Sequence, residues 1–168
     1  MYQIGDKVIY GMHGVCLVTD LEKRIVDKKE VTYLALEPVG QSGSRFFVPT
    51  HNTAAMAKVR PMLTREALEE LLSSDVLKED AWVRDESQRK QLYRELISSC
   101  DRQRLLQMIS SLYRYRKTQT AAGKKFHMCD ENFLRDAEKI LSGEIASTLE
   151  IPSAEALKYL RNKLKEDA

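Results

Sequence analysis

Residues 4–18 of the 168-residue chain read IGDKVIYGMHGVCLV, and no other stretch limits the fold as much. Apolar, mostly β-branched side chains (Ile4, Val8, Ile9, Val15, Leu17, Val18) are interrupted by Gly11 and Gly14, which flank Met12 and His13. Glycine accepts the positive φ of a tight reversal, so the pattern predicts two short strands joined by a glycine-pinched turn. A chain that starts this way opens a small curled sheet. Such a sheet is normally a docking surface, not the floor of an enzyme active site.

Two further β-prone runs follow, VTYLALE at 31–37 and RFFVP at 45–49, separated by turn-like polar connectors at 27–30 and 39–44. Pro49 has no amide hydrogen to donate and ends or edges the last long strand. Four to five short strands make a small barrel or half-barrel over residues 1–60.

Beyond Pro61 the texture becomes helical. Thr64 precedes REALEELL and is placed to cap a helix to Leu72. A second helix is predicted at about 86–98, with Leu92, Leu96 and Ile97 inward. Asp101 then caps a third, to about 118, whose Leu105, Leu106, Ile109, Leu112 and Tyr113 form an amphipathic stripe. Residues 119–125 read as a loop. Asp130 is expected to cap a fourth helix carrying Phe133, Ala137, Ile140, Leu141 and Ile145, and Ser153 a last one carrying Leu157, Leu160 and Leu164. Gly143 either ends the fourth helix or costs it about 1 kcal/mol. The fold class is therefore α+β: a small β-barrel of the Tudor or SH3-like kind at 1–60, then an all-α helical bundle at 61–168.

The formal net charge of +2 conceals a segregation. Residues 83–125 hold eleven basic side chains against four acidic ones, a net +7, while the flanking helical segments are acidic. A local field of this kind acts on local anionic partners. Trp82, the one tryptophan, stands at the edge of the cationic stretch. Its flat indole suits stacking on, or wedging beside, a base. Arg84, Arg89 and Lys90 follow at once, and Arg114 and Arg116 close the third helix, where cations also offset the helix dipole. In the competing reading Trp82 plugs the bundle and the charges face water. No zinc-finger spacing, aromatic RNA-binding signature or basic zipper is present, so any DNA contact is expected to be to backbone and groove shape.

Catalysis and metal binding have no support in the sequence. His127 and Cys129 lack a second pair at zinc spacing, and neither a phosphate-binding glycine loop nor a nucleophile with a nearby base is present. Neither enzymatic activity nor a cofactor is expected. Three scattered cysteines, the lack of a basic-then-apolar leader after Met1 and the lack of an apolar run of about 18 residues point to a cytoplasmic protein away from membranes.

With strands, tryptophan and basic helices in this order, the chain resembles the CarD/CdnL family of bacterial transcription regulators. The resemblance is carried by GDKVIY at 5–10 with Gly14, by YLAL at 33–36, by FVP at 47–49, by Trp82, by SSCD at 98–101, and by Ala137, Glu138, Leu141 and Glu144. It covers residues 1 to about 150. The N-terminal motif is shared with the polymerase-interacting domain of the transcription-repair coupling factor.

The resemblance implies a module that docks on the β subunit of RNA polymerase and a helical domain that meets promoter DNA at the upstream edge of the melted bubble. There a tryptophan wedges into the minor groove and stabilises the open complex. Trp82 would be the wedge and Arg84 a phosphate contact. Arg24 matches a polymerase-contacting arginine of some relatives, with Phe47 and Val48 on the same docking surface. Phe47 stands where some relatives carry arginine, and Glu131 where some carry lysine. About three extra residues follow Trp82, so Arg89 and Lys90 are assigned to DNA on proximity and charge alone. No small-molecule substrate is implied. The alternatives are a protein–protein adaptor that binds polymerase without touching DNA, and an autonomous DNA-binding repressor.

Overall fold

The computed structural model describes residues 1–166. The chain divides into two compact units, Met1–Met62 and a second beginning at Leu63.

The first unit is an antiparallel five-stranded sheet in the order β4-β3-β2-β1-β5. β1 (Lys7–Tyr10) reverses through a 3-10 turn at Gly11–His13 into β2 (Val15–Val26), with Val8 opposite Cys16. Gly11 (φ 48°) and Gly14 (φ 75°) supply the left-handed backbone that this reversal needs. β2 and β3 (Lys29–Pro38) form a long hairpin closed at Asp27-Lys28, both at positive φ, which matches the twist of the strands. Alternation sends Val18, Leu34 and Leu36 inward to meet Val8, Cys16, Val48 and Val59 in the core.

The predicted small barrel is corrected here: the sheet is open. β4 (Phe46–Pro49) pairs only with β3, and β5 (Val59–Pro61) only with β1. The chain between them forms the short helix α1 (Thr53–Met56), and prolines at 49 and 61 withhold the amides that would extend either ladder. Burial of the Cys16 thiol pushes its pKa up to about 11, so it behaves as a small apolar core group.

In the second unit α4 (Arg102–Ala121) runs through the core, with Leu105, Leu106, Met108, Ile109 and Leu112 buried. Around it stand α2 (Arg65–Leu72), α3 (Glu86–Ser99), α5 (Met128–Leu149) and α6 (Ser153–Glu166). The Thr64, Asp85 and Asp101 side chains cap α2, α3 and α4 by accepting the backbone N–H three residues on. α3 turns into α4 at Cys100 (φ 51°) followed directly by the Asp101 cap.

Two helix boundaries differ from expectation, and at Gly143 the chain takes one of the two courses left open. α4 takes in residues 119–121, predicted as loop, because no breaker precedes Gly123. α5 passes through Gly143 without interruption. Asp130 does not cap α5; the helix starts at Met128 and the Asp130 carboxylate turns inward to an arginine. No helix among the described residues is long and apolar enough to cross a membrane.

Two candidate interfaces: a β-sheet edge and a tryptophan segment

On the first unit, the outward face of the sheet around β4 carries Arg24, Tyr33 and Phe47. The Arg24 guanidinium lies 4.2 Å from the Phe47 ring centroid and 5.3 Å from that of Tyr33, and also bonds Glu22. A cation over two half-buried rings, one on the edge strand β4 and one on its neighbour β3, is an amphipathic contact surface with unpaired backbone groups beside it. Beyond this point the β2–β3 hairpin continues without a third strand and exposes Ile25, at 83%. Val48, expected on the docking surface, is corrected: it is 1% exposed and faces the core beside Leu34. The strand's period of two puts the Phe47 side chain outside and Val48 inside. Thr50 N donates to Thr32 O, so by antiparallel alternation the Val48 backbone pairs with Leu34 and the outward-pointing backbone groups are those of Phe47.

On the second unit, Trp82 lies in the irregular segment between a 3-10 turn (Asp75–Lys78) and α3. Its ring is half-buried and stacks on Tyr115 of α4, with centroids 3.4 Å apart and planes 16° apart. The Arg89 guanidinium lies over the same indole at 4.2 Å. The Trp82 amide donates to Asp80 Oδ1, to which Ser111 Oγ of α4 also donates. This is neither a sealed core plug nor a freely projecting ring.

The basic residues divide into two groups. Arg89 is corrected from a DNA contact to an internal group, 3% exposed. Its Nε and Nη2 donate to the two carboxylate oxygens of Asp130 at 2.8 and 3.0 Å, and Nη1 donates to Val83 O. Burial works against the Arg89 charge, but the hydrogen bond and charge of Asp130 outweigh it and raise the Arg89 pKa. Arg114 is half-buried and its guanidinium is partly engaged within the unit: Nη1 donates to Leu77 O and Ser110 Oγ, and Nη2 to Glu79 O. Of the other expected contacts, Arg84 is exposed and Lys90 is half-buried in an ion pair with Glu86. Arg116 packs over Tyr113 and Phe126.

Sequence reasoning missed Tyr115, Asp130 and Phe126, which lies 6.3 Å from Tyr115. Tyr115 was detectable in principle, since it falls off the α4 core stripe and adds an aromatic ring to the cationic stretch RYRKTQTAAGKKF at 114–126, which contains no acid. Asp130 gave no signal. Its partner is 41 residues away. The Tyr93 hydroxyl is buried without a hydrogen-bond partner, and burial, then the nearby Asp130, raises its pKa. Among the described residues no group of three or more His, Cys, Asp or Glu could hold a metal ion.

The first unit thus offers an open sheet edge beside a cation–π face, and the second a half-buried tryptophan at the edge of a cationic stretch. Residues 2–60 match the family model described as the CarD-like/TRCF RID domain. The N-terminal unit is a CarD-like RNA polymerase-interacting domain.

Proposed function

We propose that this protein is a transcription regulator that docks on the RNA polymerase β subunit through its N-terminal unit and stabilises the open promoter complex through Trp82. The observation that carries the reading is the CarD-like domain over residues 2–60. It makes RNA polymerase the partner and gives the chain a part in transcription. In support of polymerase docking, Arg24 and Phe47 share one outward face beside the β4 edge, where a strand of the partner has backbone groups to pair with.

The DNA half of the reading is supported by the partly exposed indole of Trp82, the exposed Arg84 next to it, and an acid-free segment at 114–126 with five cations. Prying apart a base step costs a few kcal/mol, which the contacts of one inserted side chain do no more than offset. One wedge therefore breaks even on intact duplex and acts only where polymerase has already distorted the DNA. The internal bonding of Arg89 and Arg114 favours a second reading, an adaptor that binds polymerase without touching DNA, because it leaves fewer cations for phosphate.

The Trp82→Ala variant separates the two. Under the proposed function it folds, binds polymerase with wild-type affinity and shortens the lifetime of the open complex. An unchanged lifetime establishes the adaptor.

A further inference from the structure

The segment that carries Trp82 has no helix or strand of its own, yet every part of it is pinned. Arg114 holds the carbonyls of Leu77 and Glu79. Ser111 holds Asp80, whose carboxylate holds the Trp82 amide. Tyr115 stacks on the indole. Arg89 takes the Val83 carbonyl while Asp130 of α5 locks its fork. Ser111, Arg114 and Tyr115 are three and four residues apart on α4, so one helix face makes most of the attachments. A stacked phenol ring 3.4 Å away and a guanidinium 4.2 Å over the same indole do not fit on one side of it. Both faces are occupied, and what is left to present is the edge.

Resting on the reading of Trp82 as the DNA-contacting residue, we infer that Trp82 is a preset blade that enters DNA edge-on, with Tyr115 and the Arg89–Asp130 pair as its positioning residues. A mobile indole would have to be ordered on each encounter, and that ordering subtracts from the small surplus a single wedge can deliver. A fixed one meets a distorted step already aligned. The same geometry sets the mode of contact: the ring separates bases or sugars by its rim and does not stack between them by its face, since the stacking surface belongs to Tyr115.

Because Trp82 is the one tryptophan, its fluorescence reports the holder directly in the free protein. The experiment compares wild type with Tyr115→Leu, Tyr115→Met, Tyr115→Phe and Trp82→Ala in the full chain. Measured are acrylamide quenching and anisotropy of the indole, polymerase affinity, and the open-complex lifetime on one promoter. Tyr115→Leu and Tyr115→Met remove the flat face, and Tyr115→Met keeps a bulky flexible apolar side chain should the shorter leucine upset folding. Both are expected to mobilise the indole, leave polymerase affinity unchanged and shorten the lifetime about 2- to 10-fold, the worth of one aromatic pair. Tyr115→Phe restores wild-type values.

Unchanged fluorescence in the leucine and methionine variants overturns the holder. A mobilised indole with a wild-type lifetime overturns the preset blade while leaving Trp82 as the wedge. A wild-type lifetime in Trp82→Ala overturns the DNA reading and the inference with it.

Discussion

Arg89 and Asp130 form a two-pronged ion pair between α3 and α5, with Nε–Oδ1 at 2.8 Å, Nη2–Oδ2 at 3.0 Å and both side chains nearly inaccessible to water. Two charges are removed from solvent here, and the pairing is favourable only while both partners stay. Asp130→Ala is expected to cost about 3–5 kcal/mol in urea unfolding because it strands a buried guanidinium. Arg89→Lys keeps the charge but loses the planar fork and is also expected to destabilise. Replacing both with apolar residues of similar volume should cost clearly less than either single change. Equal losses for single and double variants would mean that the pair contributes packing alone.

Gly143 sits inside α5 with open space where a Cβ would stand, and its φ is not positive. Glycine there costs helix stability without serving a turn or a close approach. Gly143→Ala is expected to gain about 0.5–1 kcal/mol, read as a higher Tm at unchanged function.

Glu138 is buried and accepts hydrogen bonds from Arg161 and Tyr113, which join α4, α5 and α6. Burial alone would raise its pKa; the bonds from Arg161 and Tyr113 outweigh that and hold it below the ordinary carboxylate value of 4.5. A depressed folded-state pKa contributes stability that is present in full above about pH 4.5 and is lost as pH falls through the lower, folded value. Glu138→Gln should therefore be less stable than wild type at pH 7, with the gap narrowing in acid. A gap that stays constant from pH 7 to pH 3 would contradict this.

Arg24, Phe47 and Val48 should separate docking from folding. Arg24→Ala and Phe47→Ala alter the outward face and are expected to weaken polymerase binding about tenfold with little change in Tm. Val48→Ala removes two buried methyl groups and is expected to cost about 2 kcal/mol of stability. It should leave the affinity of the folded protein intact. Titration of the isolated polymerase β subunit alongside thermal melts distinguishes the two effects.

How much of this was legible beforehand follows from the range of each signal. The glycine-pinched hairpin, the caps at Thr64 and Asp101 and the α4 stripe depend on neighbours within a few residues, and they are found where the sequence puts them. Sheet closure depends on how the chain travels from Pro49 to Val59; Pro49 marks where one strand ends but not where the chain goes next. The cations at 84–116 look alike in sequence. Arg89 differs from Arg84 because Asp130 lies opposite it, and Arg114 from Arg116 because two carbonyls lie within its reach. The resemblance carried by FVP at 47–49 puts Phe47 and Val48 on one docking surface, whereas a strand turns neighbours to opposite sides.

The corner at Cys100 has a geometric consequence. One left-handed residue followed at once by a helix cap sets the angle at which α3 meets α4. Arg89 stands on one arm of that corner and Tyr115 on the other. The spacing of the two groups that flank the indole is therefore set where the helices meet, away from the irregular chain that carries Trp82.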